Sequence, residues 1–126
     1  MRRRTFLICA TILASLVITG FTVGAVVAAP YKALIVTGQN AHDWKGTTPV
    51  LVKLLEETGL FTVEVAQSPA KGEDMSGFKP DFKSYQVVVL NYQGDNWPEE
   101  TKKAFVEYVK NGGGVVVYHF ACAAFP

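Results

Sequence analysis

The two histidines of the chain each lie near the end of an apolar run. His42 lies in "TGQNAHDW" and His119 lies in "HFAC". Imidazole can accept and donate a proton near neutral pH, so two histidines brought together could act as acid and base. The two tryptophans, Trp44 and Trp97, also follow apolar runs, and their rings could stack on the apolar face of a sugar. These positions predict one site with His42 and His119 as its catalytic residues.

Other polar, aromatic or sulfur-bearing residues near the histidines are candidates for binding a substrate. They are Asp43, Trp44, Asn91, Tyr92, Trp97 and Cys122. His42, Asp43 and His119 could also ligate a metal, but a divalent site needs three or more protein ligands and this set is not compelling. No metal is predicted, and the sequence identifies no cofactor.

The apolar periodicity around these residues alternates between that of strands and that of helices. Three continuous apolar runs predict strands buried on both faces, and these runs are "YKALIVTG", "YQVVVLNY" and "GVVVYHFA". A fourth strand, "LFTVEVAQ", alternates as an edge strand does. One predicted helix is "TTPVLVKLLEETG", with Thr48 as its cap, Pro49 in its first turn and Gly59 at its end. The other is "PEETKKAFVEYVKNGGG".

Strands that alternate with helices predict an α/β fold with a parallel sheet between helical layers, in a flavodoxin-like three-layer arrangement. Ligands of such sheets bind beyond the carboxyl ends of the strands. In a flavodoxin-like order the third strand separates the first from the fourth, so the tips that carry His42 and His119 should lie within about 10 Å of each other. We therefore expect both histidines in one concave pocket, together with at least one residue from 91–97.

Four strands and two clear helices amount to about half of a typical doubly wound domain. The sequence therefore predicts a fold that is truncated after about four strands, and a chain that is a fragment.

The first 29 residues have the layout of an export signal. An arginine cluster is followed by a long uncharged stretch, and "RRTFL" resembles the twin-arginine motif. Val26-Val27-Ala28 offers a cleavage site of small residues. An uncleaved membrane anchor is the alternative, because the stretch exceeds the roughly 20 residues that cross a bilayer. Residues 1–29 are predicted to be a signal or anchor, and residues 30–126 an exported domain in the periplasm or outside the cell.

The charge of the chain argues against a polyanionic partner. Its 126 residues carry a formal net charge of +1, so we expect no nucleic acid partner and membrane contact only through an uncleaved signal. A small-molecule carbohydrate is the expected partner, and the oligomeric state is not predicted.

Three segments together resemble a known family. "ALIVTGQNAHDW", "YQVVVLNYQGDNW" and "GGGVVVYHFACAAF", in this order and spacing, look like the trehalose-utilisation (ThuA-like) family. The resemblance covers about Lys32 to Pro126 and implies the amino-terminal half of such a domain. It implies a fold similar to class I glutamine amidotransferases and a role in disaccharide or sugar-derivative catabolism.

Three classes of function remain open. The first is an enzyme that acts on a carbohydrate through His42 and His119. The second is a non-catalytic carbohydrate-binding module at the same rim, which is the edge of the sheet formed by the carboxyl ends of the strands. The third is a cysteine-dependent amidotransferase-like hydrolase. Glutamine amidotransferase activity is disfavoured because "HFACAAF" lacks both glycines of the GxCxG turn around Cys122.

Overall fold

The structure, a computed structural model, describes residues 30–124. The predicted signal or anchor at 1–29 lies outside the described residues. The elements in chain order are β1 (Tyr31–Thr37), α1 (Trp44–Glu56), β2 (Phe61–Gln67), β3 (Val87–Leu90), α2 (Glu99–Lys110) and β4 (Gly114–Val117). Two short 3₁₀ helices, Phe82–Ser84 and His119–Ala123, complete the set.

The strands form one parallel sheet in the order β2-β1-β3-β4. The parallel register aligns Ile35 of β1 with Val89 of β3, and Val89 with Val116 of β4. The predicted α/β fold is confirmed, including the position of β3 between β1 and β4. The carboxyl ends of β1, β3 and β4 therefore meet at one edge of the sheet.

The two faces of the sheet are covered by different elements. Leu34 and Val36 point to one face, where they join an apolar cluster that contains Tyr108 of α2 and the 3₁₀ residue Phe82. Alternate residues of a strand point to opposite faces. On the opposite face, α1 packs against β1 and β2, and Thr37 there forms a buried hydrogen bond of 3.0 Å with Thr48. β1, which carries the loop to His42, is thus buried on both faces.

The start of α1 differs from the prediction. The helix begins at Trp44 rather than after a cap at Thr48, because Asp43 caps it: Oδ1 of Asp43 accepts a hydrogen bond of 2.9 Å from the backbone N–H of Gly46. Thr48 lies buried inside the helix and Pro49 one residue further on. The cap and the helix start therefore lie next to His42, which shortens the loop that carries it.

β4 also differs from the prediction of a buried strand that continues through Ala121. The strand ends at Val117, and His119 begins a 3₁₀ helix. Val116 and Val117 are 49% and 50% exposed, because within residues 30–124 β4 pairs only with β3 and has no strand on its outer side. β4 is an edge strand with a half-exposed apolar surface.

No helix between residues 30 and 124 is both long enough and apolar enough to cross a membrane.

Candidate functional site

The two histidines meet at the carboxyl edge of the sheet. The centroids of the His42 and His119 rings lie 4.7 Å apart, with an angle of 41° between the ring planes. Phe120 stands edge-on to both rings, at 4.6 Å from the His42 centroid and 5.2 Å from the His119 centroid. The expected proximity of the two loops is confirmed. Both imidazoles are exposed, so a ligand could reach them from solvent.

His119 is held in an uncommon backbone conformation. It has a φ of +49°, and among residues 30–124 no other residue except glycine has a positive φ. The residue before it, Tyr118, still belongs to the sheet ladder, because its N–H donates to the carbonyl of Leu90 at 3.0 Å. A left-handed conformation costs a residue with a Cβ about 1–2 kcal/mol. Such strain at a strand end is typical of functional turns, and the residue that carries it here is the one whose ring meets His42.

A stability comparison tests the strain at His119. We expect His119→Gly to be about as stable as the unchanged protein or more so, and about 2 kcal/mol more stable than His119→Val, because a β-branched side chain strongly disfavours positive φ. Urea unfolding of the full-length protein measures the difference. His42→Gly and His42→Val form the control pair, since His42 has no positive φ and its glycine variant should not be the more stable one. Equal free energies of unfolding for His119→Gly and His119→Val would contradict the claim that the backbone of His119 is strained.

The loop that carries His42 is held by a hydrogen bond within itself and by two hydrogen bonds to the loop that follows β3. Oδ1 of Asn40 accepts the backbone N–H of His42 at 3.0 Å. The N–H of Ala41 donates to Oε1 of Gln93 at 3.2 Å, and the N–H of Gln93 donates to the carbonyl of Gln39 at 2.9 Å. The loop that follows β1 is therefore hydrogen-bonded to the loop that follows β3 at Gln39 and at Ala41, which lie on either side of Asn40.

Gln39 fixes the base of the same loop. Its side chain is 4% exposed, its Nε2 donates to the carbonyl of Pro69 at 2.9 Å, and its Oε1 accepts the N–H of Asp95 at 2.8 Å. Gly94 lies so close to Gln39 that any Cβ at position 94 would collide with this side chain. The amide of Gln39 thus joins the loops that follow β1, β2 and β3.

Residues 32–126 match the family described as trehalose utilisation, ThuA. The chain belongs to the ThuA family. A search of curated proteins found no match.

Two solved ThuA-like proteins resemble this ThuA-family chain. The crystal structure of a ThuA-like protein from Parabacteroides merdae matches with 56% identity and a TM-score of 0.76, over 77% of this chain and 35% of the other. A ThuA-like protein from Bacteroides uniformis matches with 25% identity and a TM-score of 0.54, over 83% of this chain and 41% of the other. The chain therefore spans less than half the length of either structure. The predicted family and fold are confirmed.

The ThuA-family chain places Trp97 differently from what the sequence suggested. Trp97 is 2% exposed and packs among aromatic rings, with centroids 5.8 Å from Phe78, 5.9 Å from Phe82 and 5.8 Å from Phe105. Its ring offers no open face to a sugar, because the core surrounds it. Trp44 is only half-buried, with Nζ of Lys45 5.5 Å from its ring centroid, and is the one of the two tryptophans that a ligand could reach.

The remaining predicted binding residues have structural partners of their own. Asp43 caps α1, and Asn91 is 2% exposed and hydrogen-bonded to Thr47 and Thr48. Tyr92 is fully buried and donates its hydroxyl hydrogen to the carbonyl of Asp95 at 2.6 Å. Burial raises the pKa of Tyr92 to about 12, so its phenol stays protonated at neutral pH. These side chains therefore stabilise, through their hydrogen bonds, the chain segments that form the rim.

Cys122 lies exposed on the 3₁₀ helix that starts at His119. In enzymes with a nucleophile elbow, the nucleophile occupies the strained residue between strand and helix. Here His119 occupies that conformation, and Cys122 follows one 3₁₀ turn later. The geometry therefore gives Cys122 no elbow. Within residues 30–124, no three His, Cys, Asp or Glu side chains are grouped to hold a metal ion.

Two cavities lie away from the histidines. One of about 620 Å³ lies at the amino ends of β3 and β4, where Tyr85, Tyr108 and Gly113 are among its lining residues. One of about 590 Å³ lies between α1 and β2, where Val52 and Val65 line it. Neither is lined by His42 or His119, so the candidate site is distinct from both cavities.

The sequence did not single out several residues that shape the rim. They are Gln39, Asn40, Thr47, Thr48, Gln93 and Phe120. Four of them lie in the quoted segments "TGQNAHDW", "YQVVVLNYQGDNW" and "HFAC", so their position after a predicted strand could have identified them as site residues. The two threonines gave no such signal, because the predicted helix start assigned Thr48 to a cap.

Proposed function

We propose that this ThuA-family chain contributes a histidine pair to an enzyme that acts on a carbohydrate at the carboxyl ends of the strands. The 4.7 Å separation of the His42 and His119 rings is the observation that carries the proposal. Two imidazoles at this separation can reach one substrate group. In hydrolysis of a glycosidic bond, one neutral ring removes a proton from the water that attacks the anomeric carbon, while the other, protonated ring donates a proton to the glycosidic oxygen that leaves.

Three features support a sugar as the substrate. The family is described as trehalose utilisation, which concerns a disaccharide. Phe120 is 38% exposed beside the two imidazoles, and Trp44 is half-buried next to His42. Aromatic rings of this kind pack against the apolar face of a sugar ring while polar groups bond its hydroxyls. The binding role shifts from Trp97, which is buried, to Phe120 and Trp44.

The experiment is a conversion assay with the full-length protein. Trehalose, sucrose and maltose are each incubated with the protein, and proton NMR follows their anomeric signals. The expected result is a time-dependent change in the signals of at least one disaccharide, absent when the protein carries His42→Asn. Broadening of the signals without conversion would favour a binding module. No effect on any of a wider panel of sugars and sugar derivatives would contradict a carbohydrate substrate.

The proposal includes export by the twin-arginine route, which is supported by "RRTFL" in the sequence. We expect that Arg3→Lys combined with Arg4→Lys retains the protein in the cytoplasm, because lysine lacks the planar guanidinium group that distinguishes arginine. Cell fractionation measures the distribution. Arg2→Lys is the matched control, since it changes the same residue type outside the motif. Undiminished export of the double variant would leave a general secretory signal or anchor as the explanation.

A further inference from the structure

Asn91 occupies the centre of the candidate rim but is not accessible to a ligand. It follows β3, and its backbone N–H continues the ladder by donating to the carbonyl of Val36 at 2.9 Å. Only 2% of the residue is exposed. β3 lies between the strand that leads to His42 and the strand that leads to His119. A side chain at this point can therefore fix the position of the His42 loop relative to the strand that leads to His119.

The neighbouring threonines determine which way the Asn91 amide points. The hydroxyl of Thr47 donates to the carbonyl of Asp43 at 2.9 Å, and the hydroxyl of Thr48 donates to the carbonyl of Trp44 at 2.7 Å. Each hydroxyl has a single hydrogen, so each oxygen can only accept from Asn91. Nδ2 of Asn91 is the donor, at 3.1 Å from Thr47 and 3.2 Å from Thr48.

The other half of the amide then faces the loop that carries His42. Oδ1 of Asn91 accepts a hydrogen bond from Nδ2 of Asn40 at 3.4 Å. Oδ1 of Asn40 in turn accepts the backbone N–H of His42 at 3.0 Å. Two amide groups in series therefore connect the end of β3 to the main chain of His42. Both hydrogens of Nδ2 and one lone pair of Oδ1 are thus engaged within the protein, and burial of the residue keeps the amide away from a substrate.

The same amide also fixes the other end of the loop. Thr47 and Thr48 belong to the part of α1 that Asp43 caps, so Asn91 bonds to chain segments on both sides of His42. Oγ1 of Thr48 additionally accepts from Thr37, since its own hydrogen is used, and this joins the end of β1 to the network. Buried networks in which every member is satisfied are rigid and costly to disturb.

We infer that Asn91 is a positioning residue that acts through Asn40 to hold His42 against His119. The sequence suggested instead that Asn91 binds the substrate. The inference depends on the proposed function for its relevance to catalysis, but the geometry that it explains can be measured without any substrate. Truncation of either asparagine should release the His42 main chain and let its ring leave the His119 ring.

The test is NMR spectroscopy of the full-length protein with isotope-labelled histidine. The His42 and His119 resonances are assigned by substituting each residue in turn. The unchanged protein should show a nuclear Overhauser effect between the two imidazoles and a His42 shift caused by the Phe120 ring current. We expect both signals to be lost in Asn91→Ala and in Asn40→Ala. Asn111→Ala is the matched control, because Asn111 caps the far end of α2 and should leave both signals intact.

Asn40→Ala keeps the test decisive if Asn91→Ala fails to fold. Asn40 is half-buried and does not bond to the threonines of α1. Its removal therefore breaks the connection between Asn91 and His42 but leaves the bonds from Asn91 to α1 in place. Persistence of both signals in folded Asn40→Ala would overturn the inference, as would their absence from the unchanged protein. If the protein converts no sugar, the NMR result still decides the role of Asn91. If turnover falls while both signals persist, Asn91 acts in another way and the inference is wrong.

Discussion

Replacement of either His42 or His119 by asparagine should lower turnover of the proposed carbohydrate substrate by about 10² or more while the protein stays folded. Asparagine retains a polar side chain of moderate size but cannot take up or release the proton. Because the two rings are 4.7 Å apart, they should act as one unit, so the double variant should be little worse than either single variant.

The measurement is kcat and KM for each variant of the full-length protein. Lys83→Ala, an exposed change on the 3₁₀ helix Phe82–Ser84 at the far side of the sheet, is the control and should leave both constants unchanged. A binding module would show a different pattern, in which sugar affinity falls and no turnover exists to be lost. Variants that retain more than a third of the original kcat would remove the catalytic role from the pair.

Trp97→Ala should destabilise the protein by about 3–5 kcal/mol, as is typical when a large aromatic side chain is removed from a core. Trp97 is 2% exposed and contacts Phe78, Phe82, Tyr92 and Phe105. The surrounding rings come from α2, from the long β2–β3 connection and from the end of β3. The cavity left by Trp97 would therefore loosen several elements at once.

Chemical unfolding of the full-length protein, followed by circular dichroism, measures this loss. Trp44→Ala is the matched control, because Trp44 is only half-buried and should cost less than half as much stability. We expect Trp44→Ala to weaken sugar binding instead. If Trp97→Ala were as stable as the unchanged protein yet failed to bind sugar, the assignment of Trp97 to the core would be wrong.

Much of the fold could be predicted because each element has its own period. β1 reads as a continuous apolar run and is buried on both faces, whereas β2 alternates and lies at an edge. The alternation of strands and helices then gave a parallel sheet, and the strand order placed His42 near His119. These conclusions depend on local patterns and on chain topology, both of which the sequence contains.

The errors arose where the outcome depends on neighbours that a local pattern does not name. Thr48 and Pro49 form an ordinary start signal for a helix, but Asp43 competes as a cap and adds a turn before them. The apolar run of β4 predicts a buried strand, but it does not indicate which elements would pack against it. Trp97 followed a strand just as Trp44 did, and only the packing of α2 and the 3₁₀ segment distinguishes the two.

Within the sheet formed by residues 30–124, β4 lies at the edge, so the two histidines are not held equally. His42 depends on β1, which pairs with strands on both sides, whereas His119 depends on β4, which within residues 30–124 pairs on one side only. Edge strands open locally at a lower free energy than central strands. For the sheet that residues 30–124 form, we therefore expect the opening of β4 to limit the time for which the two rings remain together. Any strand that paired with its outer side would lengthen that time without touching either imidazole.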